Sequence, residues 1–543
     1  MDARLWAPSY GDIPLEIDAD AHRSVTHMLE HAMRTFADRP AFRSFGQTLT
    51  YADIDRLSRD FAAYLQQTLG IAKGDRVAVM SPNLLAFPIA FLGIIRAGAV
   101  QVSVNPFYTP RELEHQLRDS NVGVILAYSG STGVVAEVAQ KVALTHVITI
   151  CPGDGTSVDL PAAPIDPRLH ATVSFREALA MGAKLQFEQV DLTGDDLLLL
   201  QYTGGTTGLS KGAALTHRNL VANTEQFKAF TPTATRPGQE VIVTALPLYH
   251  IFALMVNFIT YFSIGADNWL VTDPRDTDAL IDILRASKPT SFMGVNTLYT
   301  ALATHPGLKD VDFSNLRLAG GGGAAIIPAT STRWQQVTGT FIREGYGLSE
   351  TGPVLTFNPH YIETFNGTAG LPLPSTDIQL LTADGQRAAQ GQSGEICAKG
   401  PQIMRGYWNQ PEANHAAFTA DGYFLTGDIG VFDEKGFLRI VDRVKDMIIV
   451  SGFNVYPNEV EAVAAACAGV AECACIGEPD EKTGEAVRLF VVRVPSSALT
   501  ENQIVEHCRH GLAAYKVPRT VTFVETLPKS TVGKMLRREL RHR

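Results

Sequence analysis

The sequence predicts an α/β protein with a large N-terminal domain of α/β layers, a β subdomain and a small α+β C-terminal domain. Three observations support this fold class. Short β-rich runs alternate with helical patterns through most of the chain, the texture changes after Gly367, and a compact unit of about one hundred residues follows Asp442. A chain of 543 residues is also too long for one hydrophobic core.

The first part of the chain has the pattern of parallel α/β layers, because apolar strand-like runs are separated by helix-like segments. Pro110–Ser120 and Thr277–Ser287 are predicted helices, and the first opens with Thr-Pro and an early Glu. The predicted strands are Arg76–Ser81, Val122–Tyr128, His146–Ile150, Val241–Pro247 and Asn268–Asp273.

After Gly367, glycine and proline become frequent, and hairpin signals occur at Ala383–Gln386 and Asp433–Gly436. These features predict an antiparallel β subdomain at about 367–442, within an N-terminal domain of residues 1–442. Residues 443–543 are predicted as the C-terminal domain, with a strand at Val487–Val494 and a helix at Glu501–Leu512. The charged segment between the two domains is expected to be exposed.

The composition limits the classes of function. A net charge of −10 disfavours a nucleic-acid partner, which requires a basic face. The six cysteines form no CxxC pair, which favours a reducing, cytoplasmic location. The apolar runs Leu84–Ile95 and Ile251–Ala266 fall short of the roughly 20 apolar residues of a spanning helix and are predicted as buried helices. Peripheral contact with the inner membrane and a homodimer are left open.

The segment Tyr202–Gly212, YTGGTTGLSKG, follows an apolar strand and is predicted to bind a polyphosphate. Glycines allow backbone N–H groups to approach an anion, hydroxyl groups add donors, and a lysine adds positive charge. The Walker A pattern is absent, because Lys211 is followed by glycine. A flexible surface loop is the alternative. The candidate residues are Tyr202, Thr203, Gly204, Gly205, Thr206, Thr207, Gly208 and Lys211.

This loop and five further motifs together resemble the adenylate-forming superfamily, which contains acyl-CoA synthetases, luciferases and the adenylation domains of peptide synthetases. Within this superfamily, the residues of these motifs are most similar to those of the bacterial long-chain fatty acid–CoA ligases. The motifs occur in the family's order from about residue 40 to the end. The other five are PLYH (Pro247–His250), YGLSE (Tyr346–Glu350), TGD (Thr426–Asp428), DRVKDMIIVSGFNVYPNEVE (Asp442–Glu461) and PKSTVGK (Pro528–Lys534).

The resemblance implies a two-step reaction with ATP, Mg²⁺ and coenzyme A. A carboxylate attacks the α-phosphate of ATP to give acyl-AMP and pyrophosphate, and the thiol of coenzyme A then displaces AMP. Charge develops on phosphate and carbonyl oxygens in both steps, so cations and hydrogen-bond donors are the expected catalytic groups. The implied partners are a fatty acid, ATP and coenzyme A.

The resemblance also implies roles for residues of the N-terminal domain. Glu350 is expected to bind Mg²⁺ and to be catalytic, since a carboxylate suits that hard cation. Ser349 keeps the hydroxyl that would meet the α-phosphate, and Tyr346 would stack on adenine. The run Gly320–Gly323, with Gly322 as the candidate, would allow the backbone to approach the nucleotide. Thr206 of the loop and His250 of PLYH are the further catalytic candidates.

In the C-terminal part, the resemblance implies that Asp428 and Arg443 bind the ribose. Lys534 is the expected catalytic lysine, which would bridge the carboxylate and the α-phosphate. Lys445 occupies the family's hinge position, about which a mobile C-terminal domain would rotate between the two steps. Gly452 and Phe453 belong to the loop that would then line the channel for coenzyme A.

The sequence says less about which carboxylic acid is the substrate. Amino-acid-activating relatives have an aspartate where this chain has Tyr249-His250, so an amino acid is disfavoured. The apolar segment Ile251–Met255 favours an alkyl chain, although a plain core segment would have the same composition. Three alternatives are kept: an acyl-AMP ligase that serves a carrier protein, a CoA ligase for an aryl or short-chain acid, and a noncatalytic nucleotide-binding protein.

Overall fold

The computed structural model describes residues 4–203, 210–451, 453–495, 497–530 and 535–541. The chain divides into two compact units. The large unit comprises Tyr10–Thr376 and Lys399–Phe418, and the small unit comprises Met1–Ser9, Asp377–Ala398 and Thr419–Arg543. The domain border after residue 442, and a rotation of the segment beyond it, stay predictions.

The helices and strands of the described residues have the following bounds. The helices are α1 (Val25–Thr35), α2 (Tyr51–Gln67), α3 (Ala86–Arg96), α4 (Pro110–Ser120), α5 (Thr132–Ala139), α6 (Phe175–Gly182), α7 (His217–Phe230), α8 (Tyr261–Ser263), α9 (Thr277–Ser287), α10 (Asn296–Thr304), α11 (Pro328–Thr338), α12 (Pro411–Ala417), α13 (Pro457–Ala465), α14 (Glu501–Gly511) and α15 (Arg537–Leu540). The strands are β1 (Pro40–Ser44), β2 (Gln47–Thr50), β3 (Arg76–Met80), β4 (Val100–Val104), β5 (Val124–Tyr128), β6 (His146–Ile150), β7 (Thr172–Ser174), β8 (Leu197–Thr203), β9 (Lys211–Thr216), β10 (Val241–Thr244), β11 (Asp267–Leu270), β12 (Ser291–Gly294), β13 (Leu318–Gly321), β14 (Ile342–Gly347), β15 (Val354–Phe357), β16 (Leu371–Pro372), β17 (Asp377–Leu381), β18 (Gly394–Lys399), β19 (Gly406–Tyr407), β20 (Phe424–Phe432), β21 (Leu438–Arg443), β22 (Ile448–Val450), β23 (Phe453–Val455), β24 (Val470–Asp480), β25 (Gly484–Arg493) and β26 (Thr520–Phe523).

The large unit contains two sheets whose central strands are parallel. One has the order β16-β15-β14-β13-β12-β10-β11-β1-β2 and the other β19-β9-β8-β4-β3-β5-β6-β7. Strands such as β4 are buried along their whole length, as expected for parallel strands covered by helices on both faces. Antiparallel strands extend both sheets, and the pair β8 and β9 with β19 carries the predicted phosphate loop.

The small unit is mainly antiparallel. One sheet has the order β17-β18-β20-β21, and a second has the order β23-β22-β25-β24, with β26 added parallel to β25. Helices α13 and α14 pack with the second sheet around buried residues that include Val460, Leu489 and Ile504. The α/β layers, the β subdomain and the small α+β part confirm the predicted fold class.

Most of the predicted elements are present with nearly the expected bounds. Helices α4 and α9 begin and end where the sequence predicted, because α4 starts with a capping box formed by Thr109 and Glu112 and α9 is capped by the Asp276 side chain. The hairpin at 433–436 connects β20 to β21, and Gly436 has a φ of +82° there.

The apolar segment Ile251–Ala266 is buried as predicted, but Ala253–Thr260 forms a π-helix rather than an α-helix. Every side chain of that stretch is buried, so the apolar pattern has no periodicity that could distinguish the two helix types. No helix within the described ranges is long and apolar enough to cross a membrane.

Candidate functional site

The predicted phosphate loop is the connection of a β-hairpin. Strands β8 and β9 pair antiparallel, with Tyr202 opposite Gly212 and Thr203 opposite Lys211. The two ends of the loop are therefore held side by side, and the hydroxyl of Thr203 lies 3.5 Å from the carbonyl oxygen of Lys211. The predicted phosphate ligands Gly204, Gly205, Thr206, Thr207 and Gly208 lie outside the described residues.

Both ends of this loop are attached to one face of α4. The phenol of Tyr202 donates to Asp119 Oδ2 at 2.5 Å, and His115 Nε2 lies 2.7 Å from the carbonyl oxygen of Ser210. His115 and Asp119 are four residues apart and therefore project from the same side of the helix. Because a carbonyl oxygen can only accept, His115 donates from Nε2. Neither His115 nor Asp119 belongs to a motif that the sequence shows.

Tyr202 itself is a core residue. Its side chain is only 5% exposed and packs among the apolar residues of the second sheet. Burial, followed by the neighbouring Asp119 carboxylate, raises the pKa of Tyr202 well above its ordinary value, so the phenol stays protonated. Its predicted contact with the nucleotide stays a prediction.

Replacing Asp119 with alanine should destabilise the large unit. The substitution leaves the buried Tyr202 phenol without its charged acceptor, which typically costs about 1.5–3 kcal/mol. Glu114→Ala on the same helix is the matched control, because Glu114 pairs with half-exposed Arg118 and such surface pairs contribute about 0–1 kcal/mol. Thermal unfolding should show the larger decrease in melting temperature for Asp119→Ala; equal decreases would refute the anchoring role.

The YGLSE motif forms a tight turn at the end of β14. A Cβ atom at Gly347 would lie 1.8 Å from the carbonyl oxygen of Pro353, so the turn requires glycine at this position. The backbone N–H of Leu348 donates to Thr351 Oγ1 at 2.9 Å and closes the following 3₁₀ turn, Ser349–Thr351. This turn fixes the backbone of Glu350, whose side chain is buried.

The carboxylate of Glu350 is held by Tyr407, a residue that the sequence analysis missed. The Tyr407 phenol donates to Glu350 Oε1 at 2.8 Å, and the backbone N–H of Met404 donates to the Glu350 carbonyl oxygen at 2.8 Å. Lys211 Nζ lies 5.0 Å from the centroid of the Tyr407 ring. Tyr407 therefore contacts both residues, Glu350 through its hydroxyl and Lys211 through its ring.

The buried carboxylate of Glu350 would suit Mg²⁺ bound together with the phosphates of a nucleotide. Protein sites usually bind this ion through one or two carboxylates, and the substrate phosphates and water complete the coordination. Over the described part of the chain, no group of three or more His, Cys, Asp or Glu side chains forms a cage of its own. A single oriented carboxylate is the arrangement expected where the phosphates supply further ligands.

The glycine run and the PLYH motif both contact Phe252, the second residue after PLYH. A Cβ atom at Gly322 would lie 3.3 Å from the Gly345 carbonyl oxygen and 3.4 Å from the Phe252 ring. The backbone N–H of Phe252 donates to His250 Nδ1 at 3.3 Å. Gly322 therefore lies close to Gly345 and to the start of YGLSE, where Tyr346 is half-buried. The assigned roles of His250, Gly322, Tyr346 and Ser349 stay predictions.

Glu344 is a further titratable group in this region. It pairs with Gly321 across β13 and β14, and removal from bulk water raises its pKa to about 8. This pKa shift could not be predicted from the sequence, because a glutamate two residues before a motif is ordinarily solvated. The raised pKa favours the protonated form of this carboxyl, which lies beside the glycine run.

In the small unit, the two predicted ribose ligands are neighbours. Asp428 and Arg443 are directly opposite each other on β20 and β21, and Arg443 Nε donates to Asp428 Oδ1 at 2.9 Å. Glu395 lies nearby, accepts from the backbone N–H of Gly427 at 3.0 Å, and has a pKa raised by burial and by the Asp428 charge. That Asp428 and Arg443 bind ribose stays a prediction.

The residues predicted to act in the second step also lie in the small unit. The carbonyl oxygen of Lys445 accepts from Arg541 Nη2 at 3.3 Å. Phe453 is 57% exposed and stacks on Tyr515, with 5.0 Å between the ring centroids. Gly452 and Lys534 lie outside the described residues, and their roles stay predictions, as do those of Lys445 and Phe453.

Comparison with known proteins identifies the family. The family model for the AMP-binding enzyme matches residues 29–408, and the model for the AMP-binding enzyme C-terminal domain matches residues 459–534. The chain belongs to the AMP-binding enzyme family. This membership accounts for the order of the motifs along both units.

The sequences of individual relatives can be aligned with this AMP-binding enzyme over nearly its whole length. It is 48% identical to a long-chain-fatty-acid–CoA ligase of Salmonella typhimurium, over 99% of this chain and 98% of that protein. It is 43% identical to a long-chain-fatty-acid–CoA ligase of Haemophilus influenzae, over 97% and 95%. The structure of ATP-bound MatB from Rhodopseudomonas palustris superposes with a TM-score of 0.84 at 30% identity, covering 96% of this chain and 98% of that chain.

Proposed function

We propose that this AMP-binding enzyme uses ATP to join a medium- or long-chain fatty acid to coenzyme A. The observation that carries the proposal is its 48% identity, over 99% of its length, to the Salmonella typhimurium ligase for long-chain fatty acids. The motifs quoted above, which lie between Tyr202 and Lys534, support the same reaction.

The first step forms the acyl-adenylate. A carboxylate oxygen of the fatty acid attacks the α-phosphorus of ATP, and the bond from that phosphorus to the bridging oxygen of pyrophosphate breaks. In this proposal Lys211 and the loop 203–208 bind the phosphates, Ser349 and Thr206 donate to them, and Lys534 stabilises the charge at the α-phosphate. Glu350 would hold Mg²⁺, which neutralises negative charge on the phosphates when bound.

Other residues would orient the nucleotide and the acid. Tyr346 would stack on adenine, and the backbone at Gly322 would approach it. Asp428 has two carboxylate oxygens suited to adjacent ribose hydroxyls, and Arg443 holds that carboxylate in place. His250 would lie beside the reacting carboxylate.

The second step transfers the acyl group. The sulfur of coenzyme A attacks the carbonyl carbon of the acyl-adenylate, the bond from that carbon to the phosphate oxygen of AMP breaks, and the thiol proton is released. Gly452 and Phe453 would line the path of the pantetheine arm. Between the two steps, a rotation of the C-terminal domain about Lys445 would withdraw Lys534 from the active site and bring this loop in.

The apolar residues after PLYH favour a fatty acid over a polar one. Leu254 and Met255 are fully buried in the π-helix, and Phe252 lies between His250 and Gly322. The segment contains no carboxylate that could pair with the ammonium group of an amino acid. The competing proposals are an acyl-AMP ligase for a carrier protein and a CoA ligase for an aryl or short-chain acid.

A panel of acids separates these proposals. We expect coenzyme A-dependent release of AMP with octanoate and palmitate at rates at least about tenfold above that with benzoate, because an apolar pocket gains about 0.8 kcal/mol per buried methylene. The control reaction lacks coenzyme A. A preference for benzoate would refute the fatty acid assignment, and AMP release only with an acyl carrier protein would refute the acceptor.

We also propose that the enzyme works in the cytoplasm with peripheral contact at the inner membrane, because long-chain acids partition into bilayers. Cosedimentation with vesicles that contain palmitate tests this contact, and an enzyme that stays in the supernatant would contradict it. A homodimer is the alternative to a monomer, and light scattering of the purified enzyme distinguishes the two.

A further inference from the structure

Tyr407 connects two parts of the proposed ATP site that are distant in sequence. Its phenol donates to Glu350 Oε1 at 2.8 Å, and its ring lies 5.0 Å from Lys211 Nζ at the end of the phosphate loop. Glu350 and Tyr407 are 57 positions apart in the chain. No motif used in the sequence analysis includes Tyr407.

Strand pairing and hydrogen bonds fix the backbone of Tyr407. In β19 it pairs with Ala213 of β9, the second strand of the loop hairpin. Its N–H donates to Asn414 Oδ1 at 2.6 Å, and Asn414 Nδ2 donates to its carbonyl oxygen at 2.9 Å. The next residue, Trp408, donates its N–H to the carbonyl oxygen of Gly212 at 2.8 Å. The phenol is thus presented from a rigid support.

The chemistry of a phenol suits the orientation of a metal-binding carboxylate. A tyrosine hydroxyl is a neutral hydrogen-bond donor at neutral pH, and here it donates to one oxygen of the Glu350 carboxylate. A neutral donor fixes one carboxylate oxygen and leaves the negative charge available to a cation, whereas a lysine or arginine there would neutralise the carboxylate. The same ring attracts the Lys211 ammonium through a cation–π contact.

We propose that Tyr407 is a positioning residue for adenylation: it orients Glu350 for the divalent cation that accompanies ATP and holds Lys211 beside the same phosphates. This inference rests on the proposed function, because it needs ATP bound at the loop. Tyr407 acts through Glu350 and Lys211 and does not itself contact the reacting atoms.

The variant Tyr407→Phe tests the hydroxyl while it retains the ring. The apparent affinity for Mn²⁺, measured by electron paramagnetic resonance with α,β-methylene-ATP, is expected to decrease about 10–100-fold, the usual effect of removing a hydrogen bond to a metal ligand. The KM for fatty acid and that for coenzyme A should stay within about twofold of the wild-type values, because binding of neither substrate requires the orientation of Glu350.

Two controls separate positioning from a general structural effect. Tyr423→Phe removes another phenol–carboxylate hydrogen bond, from Tyr423 to Asp377 in the small unit, and should leave Mn²⁺ affinity unchanged. In a Glu350→Gln background, Tyr407→Phe should cause no further loss of Mn²⁺ affinity, because its effect passes through the missing carboxylate. A separate, additive loss would overturn the proposal.

The result that overturns the inference most directly is a folded Tyr407→Phe protein, with wild-type melting temperature, that binds Mn²⁺ as tightly as the wild type does. The measurement uses neither fatty acid nor coenzyme A. The enzyme could release no AMP with octanoate or palmitate while Tyr407→Phe still lowered the affinity for Mn²⁺. In that case the fatty acid assignment would be wrong, and the role of Tyr407 would stand.

Discussion

Replacing Lys534 with alanine is expected to slow formation of the acyl-adenylate by about 10²–10³-fold, the usual effect of removing one group that stabilises charge in a transition state. A pentacoordinate α-phosphate carries more negative charge on its oxygens than the ground state does, and the proposed role of Lys534 is to meet that charge. Fatty acid-dependent exchange of pyrophosphate into ATP measures this step alone.

Two controls accompany the Lys534 variant. Lys529→Ala removes a nearby lysine that forms an ion pair with Glu472, and we expect nearly full activity because half-exposed pairs contribute little. Supplying synthetic acyl-AMP with coenzyme A should give thioester from Lys534→Ala at close to the wild-type rate. An unchanged rate of pyrophosphate exchange in Lys534→Ala would show that this lysine does not act in adenylation.

Replacing Glu350 with glutamine is expected to reduce the rate of pyrophosphate exchange by at least about 10²-fold at a fixed, low Mg²⁺ concentration. The amide keeps the size of the side chain and can still accept from Tyr407, but it lacks the negative charge that attracts the cation. A titration with Mg²⁺ should show partial recovery at high ion concentration.

The matched control for Glu350 is Glu412→Gln, an exposed glutamate in the first turn of α12. It should alter neither the exchange rate nor its dependence on Mg²⁺. If Glu350→Gln required no more Mg²⁺ than the wild type, the carboxylate would not be the metal ligand.

Local signals in the sequence were sufficient for much of the fold. Helix α4 was predicted at its observed bounds because Thr109 and Glu112 form a capping box, a local signal that extends over only three residues, and Pro110 occupies the first turn. The hairpin at 433–436 was likewise predictable from its Asp and Gly. The resemblance predicted that Asp428 and Arg443 bind the same ribose, which stays a prediction. The two residues are 15 positions apart and lie opposite each other on adjacent strands.

Contacts that depend on sheet order could not be predicted from one sequence. The pairing of β19 with β9 brings Tyr407 to Glu350, and the packing of α4 brings His115 to Ser210 over 95 positions. Neither contact has a local pattern, since each requires the arrangement of several strands at once. Similarly, the raised pKa of Glu344 depends on burial that only the folded chain creates.

The central claim is that the enzyme couples the cleavage of ATP to AMP with the formation of a fatty acyl thioester. Its most direct test is product analysis, by mass spectrometry and phosphorus NMR, of the purified enzyme with palmitate, MgATP and coenzyme A. The proposed reaction predicts palmitoyl-CoA, AMP and pyrophosphate in equal amounts. Formation of ADP and phosphate, or of acyl-AMP that coenzyme A does not consume, would contradict it.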